Sequence, residues 1–452
     1  MLLFIYILYL VSEMENQMSL NKKISVAVCT LGCRVNQYES RAISEYLEER
    51  GVKINSFSEK SDAYIINTCA VTAESEKKGR KMISRAHRLN PDAPIIVTGC
   101  QSQLHPEEVA RLPGVKYLCG NASKLDAARA VFETVGKDVP SPIFGRLDST
   151  KEYESYSVKK PDHTRAYIKI EDGCENRCAY CVIPKVRGPI RSKLPEDVIK
   201  EVQDVAALGY KEIVLTGIET CSYQYNLTAL MNTLSDIEGI ERIRLSSVNP
   251  AFINKKFAES IKDNKKICPH FHLSLQSVCD RTLNAMRRKY NTEMLMRNCT
   301  YLRERVPNVM FTADIICGFP GETDEDFNVT LENVKKLSLL SAHVFPYSKR
   351  PGTEAAEMPM QVDDIIKAKR CEIISEAVKE SRKKIIDGFV SDKAEFSILF
   401  ETYSGGYLYG HTENFIRVKV KGKKCLTETV DKVVLTGIDE SEKEPTVLCE
   451  IV

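Results

Sequence analysis

The stretch RAYIKIEDGCENRCAYC, residues 165–181, decides how this chain is read. RAYIKI is a short β-branched and aromatic run that predicts a strand. The loop after it sets Cys174, Cys178 and Cys181 in a C-x3-C-x2-C spacing. Three thiolates on one tight loop can take three corners of a cubane iron-sulfur cluster and leave the fourth iron open for chemistry. A structural zinc site closes with four ligands and a ferredoxin supplies a fourth cysteine, so neither explains the triplet.

Downstream of this loop, strand-like runs recur as EIVLTG, IRLSS, FHLSL, FTADIICG and LLSAHVFPYS, with helical segments between them such as 195–208 and 324–337. Six strands are too few for a closed eight-fold barrel and predict an open, partial (β/α)6 barrel over 164–386, with function gathered at the C-terminal ends of its strands. A charged helix over 362–386 closes this region. The pattern then changes to KAEFSILFE, GGYLYGHT, FIRVKVKG, ETVDKVVLTGI and TVLCEIV, five short strands that predict a small all-β barrel over 387–452.

Upstream, ISVAVCT (24–30), AYIIN (63–67), PIIVTG (94–99) and VKYLCG (115–120) read as strands. Helices are expected at 37–50, 73–89, 106–111 and 125–135. This alternation predicts a parallel α/β domain over 22–136. Residues 137–163, rich in Pro, Ser and charge, read as a linker. Across 452 residues, Lys plus Arg (64) and Asp plus Glu (62) nearly cancel to +2, so any nucleic-acid surface must be a local patch. The 16 cysteines are expected to be reduced thiols or metal ligands, because no export signal accompanies them. Residues 2–11 are apolar, yet too few to cross a bilayer, and lack a basic flank and a cleavage site. The reading is that residues 1–21 are a mis-called or disordered N-terminal extension, with Met14 or Met18 as the true start and a membrane anchor as the alternative; a soluble, cytoplasmic protein without stable membrane association is expected.

In the first domain, Cys33 (TLGC), Cys69 (NTC) and Cys100 (TGC) each follow the end of a predicted strand. In a parallel sheet those ends share one edge, so the three can converge as a second three-thiolate site. Cys119 also ends a strand and Cys29 lies inside one, so spacing alone does not choose three from five, and free cysteines are often simply buried.

The C-x3-C-x2-C loop, with Tyr180 before its last cysteine, resembles the radical S-adenosylmethionine superfamily. The order TLGC, NTC, TGC, cysteine triplet and small barrel resembles its methylthiotransferase family over nearly the whole chain. The resemblance implies two 4Fe-4S clusters, one on Cys174, Cys178 and Cys181 and an auxiliary one on Cys33, Cys69 and Cys100, and a C-terminal TRAM RNA-binding barrel. It also implies that S-adenosylmethionine chelates the open iron and is cleaved to a 5'-deoxyadenosyl radical, while a second molecule donates a methyl group to sulfur held at the auxiliary cluster. Tyr180, Gly217, Glu219, Gln276 and the strand end around Asp314 are the implied cofactor-binding residues; without the family they are ordinary polar residues of a barrel rim. Ile218 stands where relatives have a second glycine, and Val278 where relatives generally have glycine.

The segment LGCRVNQYES, residues 31–40, resembles the branch that acts on N6-threonylcarbamoyladenosine at tRNA position 37. Arg34 and Val35 match neither the branch for isopentenyladenosine in tRNA nor the branch for a ribosomal-protein aspartate, which remain the alternatives. Arg350, in HVFPYSKRPGTEAA, is expected at the substrate mouth. Lys77, Lys81, Arg85 and Arg88 recur on one face of a predicted helix as a candidate RNA surface, or a merely solvated face. Lys185, Arg187, Arg191 and Lys193 after the cluster loop, and Lys419, Lys421, Lys423 and Lys424 on a barrel turn beside Tyr407 and Tyr409, add to that expectation. The implied partners are the tRNA anticodon arm, an electron donor such as flavodoxin or ferredoxin, and a sulfur donor that the sequence leaves unnamed. A different class of reading is an RNA-binding protein with purely structural clusters.

Overall fold

The computed structural model describes residues 24–145, 147, 152–439, 441 and 446–452, so the reading of residues 1–21 lies outside the described residues. The chain divides into two compact units, one up to Ser149 and one from Thr150.

In the first unit, β1 (Ser25–Thr30), β2 (Lys53–Asn55), β3 (Ala63–Thr68), β4 (Ile95–Gly99), β5 (Val115–Leu118) and β6 (Ile143–Phe144) form one parallel sheet in the order β2-β1-β3-β4-β5-β6. Helices α1 (Arg34–Glu48), α2 (Ala73–Leu89), α3 (Cys100–Leu104), α4 (Pro106–Ala110) and α5 (Leu125–Thr134) connect the strands. One apolar cluster around Val26, Ile43, Ile65 and Val131 and another around Tyr64, Ile66, Ile83 and Val97 pack separately. Strand β3 is therefore buried at every residue and reads as a near-continuous apolar run. Strands β2 and β6, of three and two residues, are too short to show a period-2 pattern in sequence. Helix α1 starts three residues before the expected 37, because Cys33 takes the extended N-cap conformation directly ahead of it. Strand β6 lies inside the segment read as linker and pairs with β5.

The second unit carries β7 (Arg165–Lys169), a two-residue antiparallel pair β8 (Glu171–Asp172) and β9 (Arg191–Ser192), then β10 (Glu212–Thr216), β11 (Arg242–Leu245), β12 (Ser247–Val248), β13 (His270–Gln276), β14 (Met310–Cys317) and β15 (Ser341–Pro346). Two parallel sheets, β11-β10-β7 and β12-β13-β14-β15, share one apolar core that includes Ile168, Leu215, Leu245, Leu273 and Phe311. β11 and β12 are one run broken at Ser246, so the series amounts to six parallel strands with β7 and β15 at its open ends. The charged helix runs Asp364–Ser391, longer than expected.

Strands β16 (Glu395–Ser404), β17 (Tyr407–Thr412), β18 (Arg417–Lys421), β19 (Val430–Asp439) and β20 (Thr446–Ile451) close a barrel in the order β16-β17-β18-β20-β19. Its core holds Phe396, Ile398, Phe400, Leu408 and Val433. A buried ionic row joins it to the parallel strands. Glu212 stands in register with Arg165 and Arg242, and Arg244 Nε donates to its carboxylate at 2.9 Å. Those three arginines also donate to Glu401, to the His411 carbonyl and to the Glu413 carbonyl. Among the described residues no helix is long and apolar enough to cross a membrane.

Candidate functional site

The cysteine loop leaves β8 and is gripped by its surroundings. Gly173, at φ +94°, has no room for a side chain, because a Cβ would stand 2.0 Å from the Pro189 carbonyl oxygen. The Ala179 N–H donates to Met286 O at 3.1 Å, and the Ala179 carbonyl accepts from Ala355 N–H at 2.8 Å. Tyr180 packs edge-on to Phe319, which meets Tyr347 in turn.

Each of the three sulfurs receives an N–H. Asn176 N–H donates to Cys174 Sγ at 3.4 Å, Ile183 N–H to Cys181 Sγ at 3.4 Å, and the Arg288 guanidinium to Cys178 Sγ at 3.5 Å. Burial pushes the Cys174 thiol up to about 11 and Cys181 up to about 12, and in both cases the neighbouring thiols add to it. Without a cation these thiols are protonated at neutral pH. With iron bound, the same N–H groups would donate to thiolates, the usual support of an iron-sulfur cluster. Among the described residues no three His, Cys, Asp or Glu side chains gather tightly enough for a single metal ion. A cluster binds each thiolate through a different iron, so the requirement for a single-ion site does not apply to it.

Beside the loop, the Glu171 Oε2 accepts from Glu219 N–H at 2.7 Å, just past Gly217 at the end of β10. Asn176 donates to the Glu219 carboxylate at 3.2 Å. Burial pushes Glu171 up to about 8, and Asp172 and Glu219 add to the rise. Burial also raises Glu219, against the pull of Arg288. Two crowded carboxyls at this rim favour a cationic guest. Gln276 ends β13 in a left-handed conformation, φ 64°, at a register shift in the β13–β14 pairing. Next to it Arg288 donates to Ser274 O at 2.7 Å. Val278 is fully buried in the core.

Four expectations need correction. Asp314 lies in the middle of β14, not at its end, because that strand runs on to Cys317; its carboxylate meets His272 Nε2 at 3.1 Å. Arg350 is only 4% exposed, and its carbonyl accepts from Thr353. Of the basic run after the cysteine loop, Arg187, Arg191 and Lys193 are buried, the arginines against Asp172 and the lysine against Glu201, so they offer no RNA surface. Lys419 and Lys421 lie within β18 and not on a turn, and Lys419 pairs with Asp439 at 2.5 Å over the Tyr407 ring.

In the first unit, Thr68 and Gly99 are register partners, so Cys69 and Cys100 leave the sheet side by side. Cys33 enters from the neighbouring strand as the N-cap of α1. Burial pushes the Cys69 thiol up, and the nearby Cys100 and Cys33 thiols add to it. A Cβ on Gly32, at φ +100°, would stand 2.8 Å from the Cys69 Cβ, so the backbone of TLGC lies directly over Cys69. Asn121 donates to Cys100 Sγ at 3.7 Å, and Asn36 holds the Leu31 and Thr68 carbonyls at 2.6 and 3.1 Å. Cys119, by contrast, sits in the apolar core and Cys29 pairs with Ile66 inside the sheet. The cysteines that gather at this sheet edge are thus Cys33, Cys69 and Cys100. Sequence reading missed Glu171, Asn176 and Arg288, which no cysteine spacing marks.

An open parallel series with three donor-supported cysteines at its first loop defines a radical S-adenosylmethionine protein. Residues 168–334 match the radical SAM superfamily, and residues 25–120 match the uncharacterized protein family UPF0004. Among solved structures, the radical S-adenosylmethionine methyltransferase TsrM from Kitasatospora setae shares the fold with a TM-score of 0.55 at 17% identity, over 74% of this chain and 77% of that one. The chain is 37% identical over 419 residues to the threonylcarbamoyladenosine tRNA methylthiotransferase MtaB of Bacillus subtilis (strain 168), covering 90% of this chain and 93% of the relative. It is 36% identical to the tRNA-2-methylthio-N(6)-dimethylallyladenosine synthase of Thermoanaerobacter pseudethanolicus, over 78% of each chain. The chain belongs to the MtaB-type methylthiotransferase family.

Proposed function

We propose that this enzyme converts N6-threonylcarbamoyladenosine, at position 37 of tRNA, to its 2-methylthio derivative. The observation that carries this reading is the 37% identity, over nine-tenths of both chains, to a relative named for that modification. Bound to the chain, the clusters and S-adenosylmethionine supply hydrogen abstraction at an aromatic C–H, a sulfur atom and a methyl group.

The protein's part is binding and placement. Cys174, Cys178 and Cys181 hold one 4Fe-4S cluster and leave its fourth iron open. The Glu219 carboxylate, braced by Asn176, takes the amino group of the methionine moiety beside Gly217. Tyr180, Gln276 and Asp314 contribute further contacts to the same cofactor. Cys33, Cys69 and Cys100 hold the second cluster. The C-terminal barrel acts as a TRAM-type RNA reader: Arg417 lies over the ring of Tyr409, a pairing of cation and stacking surface suited to RNA. A flavodoxin or ferredoxin supplies electrons, and the enzyme works in the cytoplasm.

Mass spectrometry of nucleosides from bulk tRNA tests the reading. A strain lacking this gene should lose 2-methylthio-N6-threonylcarbamoyladenosine and accumulate its precursor. Loss of the methylthio isopentenyl nucleoside instead would transfer the activity to that substrate, and persistence of every methylthio nucleoside would favour the ribosomal-protein aspartate.

A further inference from the structure

The face of α2 that points away from the core is a row of cations. Gly79, Ile83 and Ala86 are its buried residues. Lys77, Arg80, Lys81, Arg85 and Arg88 are exposed and line one shallow groove with Met82 and Ser84. At about 100° per residue the five cations span less than half the helix circumference, opposite the buried stripe. Acid on the helix is confined to Glu74 and Glu76 in its first turn. Among the described residues none of the five cations forms an ion pair, whereas on the helix Asp364–Ser391 Lys379 and Lys383 pair with Glu376 and Asp387.

A solvated helix face in a chain with net charge +2 has no need of five unopposed cations, which repel one another. Their mutual repulsion is relieved when a polyanion lies along the groove. From Lys77 to Arg88 the helix rises about 16 Å at about 1.5 Å per residue, enough for several successive phosphates of one strand. The helix also starts four residues after Cys69, so the row extends from the edge that carries the second cysteine group.

We infer that this face of α2 binds the sugar-phosphate backbone of the substrate RNA and leads it toward the Cys33, Cys69 and Cys100 edge. The inference rests on tRNA being the substrate. Phosphate contacts of this kind are independent of sequence and steeply salt-dependent, because each one releases condensed counterions.

The test measures binding of an unmodified, in vitro transcribed tRNA to the cluster-loaded enzyme across a salt series. The fourfold variant Lys77→Gln, Lys81→Gln, Arg85→Gln, Arg88→Gln should flatten the slope of log affinity against log salt by about 3 and weaken binding more than about tenfold at physiological salt. S-adenosylmethionine cleavage without RNA should stay at the wild-type rate. A control with the same loss of charge on exposed positions of the long helix, Lys369→Gln, Lys379→Gln, Lys383→Gln, Lys384→Gln, should keep the wild-type slope. If the wild type binds tRNA and the α2 variant keeps its slope, the surface assignment falls while the substrate stands. If the α2 variant keeps its slope but loses reduction by the flavodoxin or ferredoxin, the face belongs to that acidic protein. If the wild type binds no tRNA at any salt, the substrate reading falls first and this one with it.

Discussion

The Arg288 guanidinium donates to the Cys178 sulfur at 3.5 Å, and its other terminal nitrogen donates to the Ser274 carbonyl at 2.7 Å. The group lies over the Tyr290 ring, 5.3 Å from its centre. A fixed cation against a ligand sulfur favours the reduced, more negative cluster. Arg288→Met should therefore lower the midpoint potential of the cluster on this loop while leaving its iron content unchanged. Electron paramagnetic resonance followed through a potentiometric titration reads both, and an unchanged potential would reduce Arg288 to a brace for the loop.

The two cysteine groups should separate cleanly by mutation. Cys178→Ala should abolish reductive cleavage of S-adenosylmethionine and spare tRNA binding. Cys69→Ala should keep cleavage, remove methylthio product and lower the iron bound per chain. Iron analysis with product and 5'-deoxyadenosine quantified in one reaction distinguishes the two, and full methylthio activity in Cys69→Ala would refute the second-cluster assignment.

What could be read from sequence followed the length of each pattern. The longer strands and helices announced themselves through sustained periods, and Cys33, Cys69 and Cys100, three of the five cysteines of the first unit, could be placed at strand ends. Spacing alone does not choose them over Cys29 and Cys119; the family resemblance does, while a physical reason for the choice depends on the Thr68–Gly99 register and on what surrounds each thiol. Arg187, Arg191 and Lys193 look like a basic surface in one dimension. Their partners Asp172 and Glu201 lie some 8 to 19 residues away in sequence, and only the fold turns that surface into a buried network. Arg288 reaches the cysteine loop from 110 positions further along the chain, a relationship that no local motif carries.

Gly173 is where a single methyl group should be felt most. At φ +94°, with the Pro189 carbonyl oxygen 2.0 Å from where a Cβ would sit, alanine forces the loop to move. A strained backbone of this kind costs about 1–3 kcal/mol. Gly173→Ala should lower the melting temperature and weaken S-adenosylmethionine binding to the cluster-loaded enzyme, as read by calorimetry. Wild-type affinity would mean the loop relocates without disturbing its sulfurs.

Glu212 should be the strongest single determinant of stability in the second unit. Burial alone would raise its carboxyl, but Arg244, then Arg165 and Arg242, hold it down at about 2. A carboxyl depressed below its ordinary 4.5 stabilises the fold above that pH, and the contribution is lost as pH falls from about 4.5 toward 2. Glu212→Gln leaves three buried guanidinium groups without their shared anion. Removing one partner from a buried ionic group costs about 3–5 kcal/mol. Denaturant unfolding should show that deficit at pH 7 and a smaller one at pH 3, where the wild type begins to protonate while the variant has nothing there to titrate. A variant as stable as the wild type at pH 7 would show that Glu401 and Glu413 suffice to hold the arginines.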